Sequence, residues 1–533
     1  MEAGYSPPIS LRLPPIAAGT DAGGTQGSGE LMGTFSEIGL WLAYVFPAMI
    51  LMAFGCNLYF LLALFMRRRR GAKKEIDELY RQFNAGPDHQ ELPRVATQLP
   101  IYNEANVAER VIRAAADMEY PAGRHMIQVL DDSNDGTGEI IDRVVDDLRR
   151  DGHEISVIRR PDRTGYKAGA LNHGMDQTDV EFFAIFDADF VPTHDFLLRT
   201  IPIMVVREKV GLVQARWGHL NASSSLVTRA QGMGIDGHFA IEQHARAWND
   251  LFMNFNGTAG LWRRQAIDEA GGWEHDTLTE DMDLSYRAQL AGWDPYFLSD
   301  VVVPAEIPEN INAFKSQQFR WAKGSIQTAI KLLPRVLRSP RSLRAKVQAV
   351  FHMTHYIIHP VMVWLALFAL PLLVCTDLRT SPLITALLFG VILLSALAPL
   401  VLYAAAQLHL YPKGWRSFYA LPILSSIGVG IGISNTRAVF EAVTGKVTPF
   451  VRTPKKGAEN LVRYAVKLPY IAFLELALGI YCFVSLWFYI HAGTYIVGPF
   501  LLLYAVGFTS VGVLSILHTY VDARWLPGRV QIP

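Results

Sequence analysis

The chain has 533 residues, half of them hydrophobic, with only 18% charged and a formal net charge of zero. That length exceeds one compact core, so at least two folding units are expected, and the balanced charge offers no electrostatic case for a nucleic-acid partner. Cys56, Cys375 and Cys482 all lie in apolar runs, which reads as small buried side chains, not as a disulfide framework or zinc site.

Residues 1–37 are rich in Gly, Pro and Ser and read as a disordered tail, without the pattern of a secretory leader. The run 38–66 is nearly uncharged and longer than the roughly 20 residues a helix needs to cross a bilayer. It stops at Arg67–Arg68–Arg69–Arg70, which predicts a cytoplasmic end there and an outward N-terminus. A polar block, 67–333, follows. Within it 95–100, 127–130, 155–158, 182–186 and 211–214 are strand candidates, and 104–117 has helical spacing. Strands alternating with helices predict an α/β, mostly parallel sheet of Rossmann type. Ligands of such sheets sit at the carboxyl ends of strands. No G-x-G-x-x-G opens the first βα unit, which argues against NAD or FAD.

An amphipathic helix is expected over about 310–333. The remainder, 334–533, reads as a transmembrane bundle with spans at 349–375, 382–409, 468–490 and 494–518. The run 418–434 is shorter and broken by Ser425, Ser426, Gly428, Gly430 and Gly432. Basic residues mark 335–346 and the loop 436–467 as cytoplasmic. An even number of crossings must separate the two, so 418–434 is expected to lie in the interface or re-enter. Five spans result, with the C-terminus inside. His352, His355 and His359 share one face of the 349–375 run, and a polar lining is preferred there over a metal site.

Four stretches carry chemistry. Asp187-Ala188-Asp189 follows an apolar strand, and two carboxylates at that spacing suit Mg²⁺ or Mn²⁺ shared with a phosphate. Asp131 and Asp132 also end a strand. An Asx turn there is compatible with one of them contacting a base or ribose. Lys167, in a glycine-flanked loop before a helix, can meet a diphosphate as a point charge. In Thr279-Glu280-Asp281, Asp281 could take the proton of an acceptor hydroxyl. The bland reading is a helix start, with Thr279 as cap and Asp283 in the first turn. In Gln317-x-x-Arg320-Trp321, Arg320 can grip a diphosphate in bidentate fashion, and Trp321 offers a flat face to a sugar. A membrane-surface helix with Trp and Arg at the interface is the competing reading.

These stretches, with Gln98-Leu99-Pro100-Ile101-Tyr102-Asn103-Glu104, Gly165-Tyr166-Lys167-Ala168-Gly169, Gln214-Ala215-Arg216-Trp217 and Phe255-Asn256-Gly257-Thr258-Ala259-Gly260, make the chain resemble the membrane-bound processive family 2 glycosyltransferases. Within that group it looks most like the plant cellulose-synthase-like A proteins, which make mannan and glucomannan, and their bacterial relatives. The resemblance implies a GT-A domain at the cytoplasmic face, a UDP-glucose or GDP-mannose donor, Mg²⁺ or Mn²⁺, and inverting elongation of a β-linked glycan passed across the cell membrane. It also implies membrane lipids, the growing glycan and export accessory proteins as partners. By resemblance Asp132 would bind base or ribose, Asp187 and Asp189 the metal and diphosphate, and Gln317 and Arg320 the diphosphate. Asp281 would be the base, and Glu280 and Trp321 would meet the acceptor. Phe450-Val451-Arg452-Thr453-Pro454-Lys455 looks like the gating loop of cellulose synthase, with Thr453 and Lys455 as donor contacts. It departs from that pattern at Arg452, where valine is expected. Two other functions are open to the sequence. One is a non-processive transferase adding sugar to a ceramide-like lipid. The other is a channel or transporter with a soluble regulatory domain.

Overall fold

A computed structural model of the chain describes residues 26–86, 92–375, 382–447 and 470–524. Seven strands form one mixed sheet in the order β3-β2-β1-β4-β6-β5-β7. They are β1 (Val95–Ile101), β2 (His125–Asp131), β3 (Ile155–Ile158), β4 (Phe182–Ile185), β5 (Val210–His219), β6 (Gly260–Arg263) and β7 (Asp294–Ala305). β3, β2, β1 and β4 run parallel, β6 is antiparallel to both its neighbours, and β5 pairs with β7 in parallel. The five expected strands are all present, whereas β6 and β7 were not expected.

Helices α2 (Ala108–Ala116), α3 (Thr137–Arg150), α4 (Tyr166–Met175) and α5 (Phe196–Val206) cross between the early strands, after the long helix α1 (Gln26–Ala85). Leu99, Val111, Val129, Val144, Phe186 and Phe196 fill one face of the sheet, and Phe183, Phe255, Trp262 and Phe297 the other. Burial on both faces explains why these strands read as continuous apolar runs.

The first helix overruns both of its expected ends. Residues 26–37, expected in a disordered tail, continue it on the N-terminal side, because extending a helix costs far less than starting one. Past Arg67–Arg70 it runs on to Ala85, because Ala72, Ile76 and Leu79 recur at helical spacing and are buried in the core of the sheet.

Beyond the sheet strands lie α6 (Leu226–Gly237), a π-helical turn (His238–Gln243), α7 (His244–Ala247), α8 (Arg264–Glu269), α9 (Glu280–Leu290) and α10 (Ile311–Arg338). Next come α11 (Leu343–Thr354) and α12 (Ile358–Cys375), joined by a 3₁₀ turn at His355–Ile357, and then α13 (Pro382–Leu410). After these, α14 (Leu421–Gly430) and α15 (Gly432–Val443) meet at a bend of 43°. The described chain closes with α16 (Ile471–His491) and α17 (Gly498–Arg524). Among the described residues, five helices are long and apolar enough to cross a membrane, and the bent pair has the shape of a broken span or a re-entrant loop.

The three histidines of α11, the 3₁₀ turn and α12 make separate hydrogen bonds. His352 Nδ1 lies 2.8 Å from the Tyr286 hydroxyl, His355 donates to the His352 carbonyl (2.8 Å), and His359 Nε2 lies 2.9 Å from Asn435 Nδ2.

Candidate active site

The parallel strands set the first acids. β2 ends on Asp131, opposite Ile101 of β1, and β4 ends two residues before Asp187. Both therefore emerge at the carboxyl edge of the sheet, where unpaired strand ends leave room for a ligand. Asp131 is buried. It accepts from the Ser133 N–H (3.0 Å), the Asx turn expected from the sequence, and from Arg159 Nε (2.8 Å). Asp132 is forked by Arg160, with Nε to Oδ1 at 3.0 Å and Nη2 to Oδ2 at 2.5 Å, and both side chains are less than a tenth exposed. Arg160 also donates to the Thr164 and Tyr166 carbonyls (2.8 and 3.0 Å) and so fixes the turn into α4. Beside it, the Arg163 guanidinium stacks 3.3 Å from the centroid of the Tyr102 ring.

Lys167, in the first turn of α4, reaches across to Asp187 Oδ1 (2.5 Å) and to the Gly257 carbonyl (2.8 Å). The Asp187 N–H donates to Thr258 Oγ1 (2.9 Å), so the turn after β4 and the loop before β6 hold each other. The Phe190 N–H closes that turn onto the Asp187 carbonyl (3.0 Å), which puts the half-buried carboxylates of Asp187 and Asp189 on one turn.

Gly257 explains how the base candidate comes so near. It has φ +84°, and a Cβ there would lie 3.0 Å from Asp281 Oδ2 and 3.5 Å from Lys167 Nζ. A side chain would fill the gap between ammonium and carboxylate. The loop is also tied to α9. Phe255 N–H donates to Ser285 Oγ (2.8 Å), and Ser285 Oγ donates to the Asp281 carbonyl (2.5 Å). Asp281 Oδ1 accepts from the Met282 N–H (2.8 Å). Thr279 precedes α9 as expected but does not cap it with its side chain. Its hydroxyl lies 3.2 Å from Thr328 Oγ1 of α10 instead.

Helix α10 completes the site because Gly324 lets it touch the start of α9. A Cβ at Gly324 would meet Thr279 Cγ2 at 2.6 Å. One turn earlier, Arg320 shares the electrostatic field of Glu280 and Asp187. Gln317, Arg320 and Trp321 fall on one face of α10 at the i, i+3, i+4 spacing. The Trp321 ring lies 6.5 Å from that of Trp217, which packs on Phe190 and Phe239.

Three carboxylates, Asp187, Glu280 and Asp281, thus share two cations, Lys167 and Arg320. Burial, then the Glu280 charge, push the Asp281 carboxyl up to about 8. Burial and the Asp187 charge also raise Glu280, although Lys167 opposes them. Burial works against the Lys167 ammonium, but Asp187, Glu280 and Asp281 more than offset it and hold its pKa above the ordinary range. Burial brings Arg320 down to about 10. Asp187 and Asp189, on one turn, would offer hard oxygen ligands to a divalent cation while leaving positions for phosphates. A tighter group of carboxylates, Glu274, Asp276 and Asp283, is filled by the Lys331 ammonium.

Asp131, Asp132, Lys167 and Asp187 therefore gather at the carboxyl edge of the sheet, and Lys167 and Asp187 meet Glu280, Asp281 and Arg320 there. Thr453 and Lys455 lie outside the described residues. Sequence reasoning missed Arg160, Arg163, Thr258 and Gly324. Arg159 and Arg160, a basic pair directly after a strand, were the one local signal available.

Residues 93–324 match the model described as glycosyltransferase like family 2. The chain carries a family 2 glycosyltransferase domain. The mixed sheet of this domain is of the GT-A type. Two similar curated proteins are glucomannan 4-beta-mannosyltransferase 7 of Arabidopsis thaliana and glucomannan 4-beta-mannosyltransferase 1 of Cyamopsis tetragonoloba. The first is 43% identical over 251 residues, 46% of this chain and 45% of the relative. The second is 40% identical over 276 residues, 51% of this chain and 52% of the relative. The chain thus spans about half the length of the curated relatives it matches. Among solved structures, the mannosyltransferase PcManGT from Pyrobaculum calidifontis in complex with GDP-Man and Mn2+ is 19% identical, with a TM-score of 0.46, over 74% of this chain and all of that one.

Proposed function

We propose that the chain is an inverting hexosyltransferase that extends a β-linked polysaccharide from a nucleotide-diphospho-hexose, GDP-mannose before UDP-glucose. The observation that carries this reading is the convergence of Lys167, Asp187, Glu280, Asp281 and Arg320 at the carboxyl edge of the sheet. The preference for mannose rests on the names of the relatives, glucomannan mannosyltransferases.

In this reading the acceptor hydroxyl oxygen attacks the anomeric carbon, its proton passes to Asp281, and the bond to the diphosphate breaks with inversion. A carboxylate whose pKa lies near the working pH suits that proton transfer. The negative charge of the departing diphosphate meets Arg320 and Lys167, and Lys167 leaves Asp187 for the phosphate when the donor enters. Asp187 and Asp189 would hold a divalent cation, which would relieve the negative charge of the diphosphate. Asp132 and the Arg163–Tyr102 stack lie on the side of β2, where base and ribose would rest. Trp321 stacks on the acceptor sugar. Thr453 and Lys455 close over the donor as further contacts.

In this reading the apolar helices hold the chemistry at a membrane, with 67–333 and the stretch 436–467 on the cytoplasmic side and the product leaving between helices. The deciding experiment uses the purified chain in lipid, with GDP- and UDP-hexoses and Mg²⁺ or Mn²⁺. Nucleoside diphosphate release identifies the donor, and product size reads processivity. Only single-sugar products would remove processivity, and label extracted into organic solvent would move the acceptor to a lipid.

A further inference from the structure

The opposite edge of the sheet holds a second cavity. There the amino ends of β5 and β7, paired from Val210 and Asp294, face α1 and the turn from α10 into α11. The cleft between them has a volume of about 610 Å³. Trp248 and Tyr296, 7% and 9% exposed, line it and pack edge to face with centroids 4.9 Å apart. Among the described residues, neither the Trp248 indole N–H nor the Tyr296 hydroxyl has a hydrogen-bond partner. Two buried donors without acceptors on one cavity wall call for an acceptor-rich ligand.

The rim supplies charge of both signs. Arg68, Arg207, Lys209 and Arg341 border the cleft, together with Glu75, Glu208, Asp250 and Asp294. Arg207 pairs with Glu75 at 3.1 Å, Arg68 Nε donates to the Trp248 carbonyl (3.1 Å), and Arg341 donates to the Gln289 carbonyl (3.0 Å). Position narrows the ligand further. Arg68 stands in the basic run that ends the first apolar stretch, and Arg341 stands two residues before α11 begins the second. Two entries into apolar helices thus border one aromatic-floored, charge-rimmed cleft, the kind of place where lipid headgroups would gather if these helices span a membrane.

We propose that this cleft binds a phosphate ester bearing an ammonium group, the headgroup of a zwitterionic phospholipid whose tails run into the bilayer beside α1 and α11. The Trp248 N–H, the Tyr296 O–H and the guanidiniums of Arg68 and Arg341 meet the phosphate oxygens, and the rim carboxylates meet the ammonium. The inference rests on the reading of these helices as membrane spans.

The test uses the full chain, purified in detergent and reconstituted into phosphatidylcholine vesicles with and without phosphatidylethanolamine, with retained lipid counted by native mass spectrometry. Phosphatidylethanolamine is expected to be retained in preference to phosphatidylcholine, whose quaternary ammonium donates no hydrogen bond. Tyr296→Phe removes only the hydroxyl and keeps the ring in place. It and Arg341→Gln are each expected to weaken retention roughly tenfold. Retention unchanged in both variants overturns the proposal. A second arm offers glycerophosphoethanolamine and inorganic phosphate in solution. Binding of either as tight as that of the lipid overturns the lipid assignment and gives the cleft to a soluble phosphate ester. Sugar transfer that persists while lipid retention fails isolates the error to this cleft. A chain that stays in solution without detergent refutes the membrane reading itself.

Discussion

Helix α9 carries two groups of charges built on opposite rules. Successive helical residues turn by about 100°, so Asp281 and Asp283 point about 160° apart. On the Asp283 side every carboxylate has its cation. Asp283, fully buried, receives Arg287 Nε on both oxygens (3.0 and 3.1 Å) and Lys331 Nζ at 2.9 Å, and Lys331 also binds Glu274 and Asp276. On the Asp281 side three carboxylates share Lys167 and Arg320, and two of them are pushed towards their neutral forms. The satisfied group fastens α9 to α10. The second group raises two carboxylates towards their neutral forms, a perturbation of the kind expected of a functional site.

The sharpest way to break this contrast is Asp281→Asn. Loss of a general base is expected to lower turnover by about 10²–10⁴-fold. The same change should stabilise the empty protein at high pH. The folded pKa of about 8 exceeds the unfolded value near 3.9, so ionising Asp281 costs stability, which is full below pH 4 and declines towards pH 8. Asparagine removes that decline. Melting curves of the two proteins from pH 5 to pH 8.5 should diverge upwards with pH, and parallel curves would show that Asp281 ionises without penalty.

On the other side, Lys331→Met removes the cation shared by Glu274, Asp276 and Asp283 and leaves Asp283 with Arg287 alone. Breaking a buried pair costs roughly 3–5 kcal/mol, and partial exposure of Lys331 puts the loss at the lower end of that range. Denaturant titration reads it, while turnover per folded molecule should stay within about twofold, given that the Asp283 side only fastens the helices. Gly324→Ala acts between the two groups. Its methyl collides with Thr279, so α10 must back away from α9 and carry Arg320 with it. Turnover should drop between about tenfold and 10²-fold, the scale of a misplacement under 1 Å. The smallest effect is expected from pH. Turnover should rise as Asp281 loses its proton, and Glu280→Gln, which removes the neighbouring negative charge, should move that rise to lower pH. An unmoved profile would mean that Glu280 does not set the base.

The acids of the site were legible because each follows an apolar strand or opens a helix, local patterns that a single sequence displays. β7 escaped notice because Pro295 and Pro304 interrupt its pattern, and β6 because its short run opens on Gly260 and closes on Arg263, leaving only two apolar residues. The ion pair of Asp132 with Arg160, the Thr258 hydroxyl behind Asp187 and the near contact at Gly324 join residues 28, 71 and 45 positions apart. No spacing rule reports such pairs, because the sheet order and the docking of α10 bring them together. The first helix was misjudged for the same reason. Its polar extension is held by the core of the sheet, not by its own composition.

Helix α10 has no slack at either end. Towards its start, Asn312 and Lys315 are fastened to α17 and α16 through Ser515 and Glu475. Further along, at Gly324, it bears directly on Thr279, at the start of the helix that carries Asp281. If these helices span a bilayer as proposed, tilt imposed on them by a thicker or thinner bilayer would be delivered to Asp281 as a displacement, and the surrounding lipid would belong to the mechanics of the proposed chemistry.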